Sequence, residues 1–322
     1  MRRIALERLA YNTIKVDYTD IFLSKQSLLK KVQWFTRFGP MIDKYNKELL
    51  MQLEINQPDI VWADKSIFIY PEFFKEAKSN CVKHIIHYSP DNYFIKQNNS
   101  RYFWKSLPYF TLVVTTKESN VEPLLEKGAK KVFLSGNAFD PTIHKPIDLT
   151  KDEYEKYKSD VSFIGRWEPN REVLMQKLIE VGFDIKIWGG DWKRAKNKKV
   201  NSRCTFHSPL GLEYAKVINA SKINLGLLSR LAEDNITQRS IEIPACGAFM
   251  LAERSQEHLD HFIEEKEAEF FSNYNELIEK IMYYLANDNK RKEIAKNGRE
   301  RCLTSQYSYD ERMKDILQQI IN

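Results

Sequence analysis

The stretch Val161–Leu178, VSFIGRWEPNREVLMQKL, decides how the rest of the chain is read. A buried strand reads over 161–165 and stops at Gly165. A helix opens near Pro169, because a fixed φ and a missing N–H suit the first helical turn. Apolar residues then recur three or four apart, as one buried helical face requires. A strand running straight into a helix is half of a parallel βαβ unit.

The same alternation extends in both directions. Before this stretch, strands read at 13–17, 59–63, 84–88, 111–115 and 131–135. Helices read at 26–38, 40–56, 71–79, 98–105 and 117–127. Residues 137–150, NAFDPTIHKPIDLT, hold two prolines and no periodicity, so they read as a connection. After 161–165 come a helix at 169–180, strands at 184–189 and 204–207, a helix at 210–220, a strand at 222–228 and a helix at 237–246. Strands at 248–252 and 268–271 follow. Polar helices at 273–286, 288–303 and 308–321 close the chain. The expected fold is α/β: two Rossmann-like domains facing across a cleft. Their expected bounds are 1–148 and 149–305, with 306–322 packing back on the first. The chain opens on a helix, RRIALERLAY, where a doubly wound domain usually has a strand. The first sheet is therefore expected to lack its first strand. Ligands of such sheets bind beyond the carboxyl ends of the strands, so the cleft is the expected site.

Composition narrows the function. The 322 residues are 43% hydrophobic and 29% charged, a globular balance with material for two cores. No two of the 11 glycines form G-x-G-x-x-G or G-x-x-x-x-G-K, which leaves out the dinucleotide fingerprint and the Walker loop. No apolar run reaches membrane-span length and no secretory signal reads at the start, so the expected location is cytoplasmic. Cys81, Cys204, Cys246 and Cys302 are far apart, as reduced, mostly buried thiols would be. His84 and His87 fall on opposite faces of a strand. His258 and His261 read as a helical surface pair rather than a zinc site. The net charge of +6 suits an anionic partner of several kinds. The basic stretch 192–203, WKRAKNKKVNSR, reads first as a solvated loop. Its sharper reading, over Lys193–Arg203, is peripheral contact with an anionic surface on the inner membrane face.

Three segments carry candidate chemistry. Arg166 ends a strand and Arg171 lies in the first turn of the next helix. Helix N-termini and arginine forks both favour oxyanions, while ordinary ion pairing is an equal reading. Asp234 and Glu242 lie eight apart in EDNITQRSIEIPACGAFML, with Thr237 and Arg239 between them. Carboxylates there suit paired hydrogen bonds to vicinal hydroxyls; a helix cap and an Arg239–Glu242 ion pair are the plain alternative. Asp91 sits in the turn after the strand HIIHY, near His87, where an ordinary Pro-Asp turn is the plainer reading.

Together these pieces resemble the group-1 glycosyltransferases of GT-B fold, in particular the spore-maturation-type branch. The pieces are HYSPDNYF, VVTTKESNVEPLLEKGAKKVFLSGNAFDPTIHKP, FIGRWEPNRE, LGLEYAKVINASKINLGLL and TQRSIEIPACGAFMLAE. They run over nearly the whole chain, and the last is the most specific. The resemblance implies metal-independent, retaining transfer of a sugar from a nucleoside diphosphate sugar, UDP or GDP, with no other cofactor. It implies that Arg166 and Arg171 bind the donor diphosphate. It assigns Asp234, where the family usually has glutamate, to the donor sugar and Glu242 to the ribose. Thr237 and Arg239 fall within the same donor motif. Asp91 matches a position near the reacting centre, with His87 a weaker neighbour, so the implied catalytic set is Asp91, Asp234 and Arg166. The acceptor stays open among a glycan, a lipid-linked group, a protein and a modified nucleic acid. Two other classes stay open: a GT-B-fold binding or structural protein impaired in catalysis, and a nucleic-acid partner.

Overall fold

The computed structural model describes residues 1–18, 28–80 and 82–321. The first two residues of the expected helix 26–38, and Cys81, lie outside them. The chain divides into two compact units, one of residues 137–311 and one of residues 2–136 with those from Arg312 on.

The N-terminal unit holds a parallel sheet of β1 (Ile60–Asp64), β2 (His84–Ser89), β3 (Leu112–Thr115) and β4 (Val132–Leu134), in that spatial order. All its pairings are parallel. Strands covered on both faces read as unbroken apolar runs, and β2 and β3 are buried from Ile85 to Ser89 and from Leu112 to Thr115. Alternate residues serve different faces: Ile85 and Val113 join a core with Phe73, Phe74 and Phe103. Helices Pro40–Asn56 and Pro71–Ser79 each start on a proline, where the sequence reading puts their starts. In the closing helix Tyr309–Ile321, Met313, Ile316 and Leu317 are buried, and the Gln319 carbonyl accepts from Lys131 Nζ at 2.7 Å.

The C-terminal unit holds β5 (Ser159–Ile164), β6 (Ile185–Trp188), β7 (Ser221–Gly226), β8 (Met250–Glu253) and β9 (Glu269–Phe271). All are parallel, in the order β6-β5-β7-β8-β9. Val161 and Phe163 of β5 enter one core and Ile164 the other, so both faces are covered. Strand order reverses at β5, and the switch point lies between β5 and β7.

Several expectations need correction. Residues 13–17 form no strand: Ile14 and Lys15 are exposed, and the segment pairs with no strand of the sheet among the described residues. Residues 204–207 give one isolated bridge, Ile187–Cys204, because Phe206 adopts φ +53° and breaks the extended run. An unforeseen helix, Lys151–Tyr157, starts at a Thr150–Glu153 capping box. The basic stretch is folded rather than a loop. Trp192 is buried, Asn197 caps the short helix Lys198–Asn201, Arg194 stacks on Trp167, and Arg203 pairs with Asp184. Among the described residues, no helix is long and apolar enough to cross a membrane.

Candidate functional site

The carboxyl ends of β5 and β7 are tied together by one side chain. Arg171 lies in the first turn of helix Pro169–Val181, yet it is only 3% exposed. Its Nη1 donates to the Arg166 carbonyl at 2.9 Å and its Nη2 to the Leu227 carbonyl at 3.3 Å. Nη1 also pairs with Glu168 Oε1 at 2.9 Å, and the guanidinium lies 5.4 Å from the Phe163 ring centroid. Burial, with Arg239 close by, draws its pKa down to about 10. Arg239 covers the same ring from 5.8 Å and donates Nη2 to the same Leu227 carbonyl. Gly165 makes the approach possible, since a Cβ there would meet the Phe163 ring at 2.5 Å.

The loop after β7 is held by two carboxylates. Glu168 Oε2 accepts from Arg230 N–H at 3.1 Å, and Glu253 Oε2 from Leu228 N–H at 2.6 Å. The loop leads to Asp234, which is half-buried, within the electrostatic reach of Arg171, and donates its N–H to Ser229. Thr237 then caps helix Gln238–Ala245, its hydroxyl shared with Ser240 Oγ at 3.2 Å.

Glu242 sits one turn into that helix and is 8% exposed. Burial pushes its carboxyl up to about 7, against the pull of the Tyr214 hydroxyl and the Arg239 guanidinium. His144 Nε2 lies 3.6 Å from Glu242 Oε1. His144 Nδ1 accepts from Asp140 N–H at 2.9 Å, so in the neutral ring Nε2 carries the proton and faces the carboxylate. Burial lowers the His144 pKa to about 4 and keeps the ring neutral.

Of the residues expected from sequence, Arg166, Arg171, Asp234, Thr237, Arg239 and Glu242 therefore come together on one unit. Only Arg166 among its three arginines is open, 76% exposed in the side chain and paired with Asp191. Arg171 spends both Nη atoms, and Thr237 its hydroxyl, on protein partners, while Arg171 Nε is buried without one. The Arg239–Glu242 ion pair of the plain alternative does not form among the described residues, although the two interact through the field. Asp91 lies on the other unit, at the carboxyl end of β2, and pairs with Lys65. His87 is buried, with Nε2 accepting from Ser66 N–H at 3.1 Å and Nδ1 bonded to Tyr93 at 2.9 Å, so both nitrogens are structural. His258 is no surface residue: it is buried, accepts from Ser240 Oγ at 2.7 Å and donates to the Glu253 carbonyl.

The sequence reading missed Glu168, His144 and Tyr214. Glu168 carries a signal, an acid three residues before Arg171 at the cap of the helix. His144 and Tyr214 meet Glu242 only through the tertiary fold.

Residues 171–318 match the family model described as Glycosyl transferase-like. No curated protein matches the chain. Among solved structures, HepE of Anabaena in complex with UDP-glucose aligns with 89% of this chain and 83% of its own, at 12% identity and TM-score 0.63. Sucrose-phosphate synthase from Thermosynechococcus elongatus aligns with 89% of this chain and 78% of its own, at 14% identity and TM-score 0.61. A glycosyltransferase from Rickettsia africae aligns with 92% of this chain and 87% of its own, at 14% identity and TM-score 0.62. At such identities the likeness is one of fold, and the fold is GT-B, two Rossmann-like units each built on a parallel sheet.

Proposed function

We propose that this chain, whose residues 171–318 match the Glycosyl transferase-like family model and whose fold is GT-B, moves a sugar from a nucleoside diphosphate donor to an acceptor hydroxyl. The donor nucleotide is UDP or GDP, transfer needs no metal, and configuration is retained. One observation carries the reading: the open Arg166 follows β5, and the carboxylates Asp234 and Glu242 follow β7, the two strands that flank the switch point, where α/β sheets bind nucleotides.

The chemistry follows from charge. The bond from the anomeric carbon to the diphosphate breaks with its electron pair, which leaves negative charge on phosphate oxygen. Arg166 is suited to meet that charge. Its exposed pair with Asp191 contributes little to stability, so its guanidinium is free to turn to an oxyanion. The first amides of helix Pro169–Val181 add a favourable dipole. Asp234 orients the donor hydroxyls and Glu242 accepts from the ribose diol, which fixes the anomeric carbon toward the acceptor. The acceptor oxygen bonds that carbon as the diphosphate leaves, and its proton passes to the departing phosphate oxygen. Asp91, on the N-terminal unit, is assigned to the acceptor. The spore-maturation branch rests on the sequence pieces quoted above.

A ligand that binds only the native state stabilises it by about 2.7 kcal/mol at a hundredfold excess over Kd. UDP or GDP is therefore expected to raise the unfolding midpoint. Arg166→Ala should lower nucleotide affinity about tenfold or more with the ligand-free midpoint unchanged, because one charge-assisted contact is removed. Calorimetric titration with both nucleotides checks this; a wild-type chain indifferent to either one overturns the donor reading.

A further inference from the structure

Helix Leu28–Thr36 is turned inside out. Its buried residue is Gln33, 3% exposed, whose Oε1 accepts from Met41 N–H at 2.9 Å. Trp34 packs on Phe68, with ring centroids 4.8 Å apart, but the other described apolar side chains point away from the unit: Leu29 is 64% exposed, Val32 50% and Phe35 84%. Two residues past the helix, Phe38 is 60% exposed. A helix packed on a soluble core normally does the reverse, with the apolar stripe inward.

Charge says what covers this face. Residues 28–42 contain Lys30, Lys31 and Arg37 and neither aspartate nor glutamate. Arg37 turns inward over the Trp34 and Phe68 rings, which leaves Lys30 and the exposed Lys31 to edge the face. A second copy meeting this face by two-fold symmetry would set basic residues against basic residues. An apolar stripe edged by cations instead fits an anionic lipid interface, which takes the rings into the acyl boundary and holds the cations at the headgroups. The basic stretch at 192–203 lacks half of this device. Its Trp192, Ala195 and Val200 are buried, so it has nothing apolar to insert.

We propose that the outward face of helix Leu28–Thr36, continued by Phe38, docks the protein on an anionic bilayer, with Phe35 and Phe38 inserted and Lys31 against the headgroups. The contact is peripheral and independent of the donor reading.

The test is cosedimentation of the full chain with phosphatidylcholine vesicles, with or without about one-third phosphatidylglycerol. The wild type is expected to bind the anionic vesicles and to release them as salt rises. Phe35→Ser combined with Phe38→Ser should lower the partition coefficient about tenfold or more. Lys31→Glu should weaken the preference for anionic vesicles. The unfolding midpoint is the control for intact structure, and Phe35→Ser alone is read should the double variant fail to fold. Three results overturn the proposal: no partition by the wild type, equal binding to neutral vesicles, or undiminished binding by the Phe35 variants. A concentration-dependent dimer that Phe35→Ser dissolves would also overturn it, by assigning the face to a second copy.

Discussion

Glu242→Gln is expected to make the protein more stable at pH 8 and nearly inactive. The fold holds the Glu242 carboxyl up at about 7, mainly by burial. The unfolded chain ionises it near 4.5. Folding therefore favours the protonated acid. That stabilisation is complete below about pH 4.5 and is lost as pH rises through about 7, because the folded state must then carry a buried anion. Glutamine has no proton to lose. The variant should match the wild type at pH 4 and exceed it at pH 8, by an amount on the order of 3 kcal/mol. His87, His144 and His258 are each held neutral by burial, so they lose stability in the opposite direction, as pH falls. The informative quantity is therefore the difference between variant and wild type, measured by urea unfolding at both pH values. A difference independent of pH would refute the buried-anion argument.

The same substitution removes the function proposed for that anion. A carboxylate accepts from both hydroxyls of a vicinal diol, and an amide cannot, because one of its heteroatoms is a donor. Hydrogen bonds to charged groups contribute about 1.5–3 kcal/mol each, so kcat/KM should fall about a hundredfold. Wild-type turnover by Glu242→Gln would remove Glu242 from the donor site. Burial of an ionisable carboxyl costs the fold stability at neutral pH, which suits a group kept for binding rather than packing.

The backbone signals in the sequence are local, and they hold where the structure is local. Pro40, Pro71 and Pro169 each mark a helix start, since proline suits the first turn whatever the neighbours do. Residues 13–17 have the same β-branched pattern as β1, but a strand exists only where a sheet edge receives it. Helix Lys151–Tyr157 was overlooked because KDEYEKY has little apolar periodicity, although its Thr150-x-x-Glu153 box was in plain view. The candidate site divides in the same way. Asp234 and Glu242 were visible by spacing on one loop and helix. His144 was not, because its link to Glu242 depends on how the turn Asp140–His144 lies against a distant helix.

Arg171 is where the structure and the family resemblance lead to different expectations. The resemblance puts its guanidinium on the donor diphosphate. In the structure the guanidinium lies under the surface, bonded to Glu168 and to the carbonyls that end β5 and begin the loop after β7. A side chain so placed joins two strand ends and supports the loop that carries Asp234. Arg171→Ala would leave Glu168 buried without its cation, a change that typically costs about 3–5 kcal/mol. Arg171→Lys should also be costly, because one ammonium cannot reproduce a planar fork with separate acceptors. Both variants are expected to lose stability in the absence of any ligand, and nucleotide affinity should fall as a consequence. Urea unfolding without nucleotide, alongside titration with UDP, separates the two roles. A variant with wild-type stability and lost nucleotide binding would return Arg171 to direct contact with the donor. A large loss of stability would leave Arg166 as the arginine that meets the phosphate, with Arg171 as the brace that sets its backbone in place.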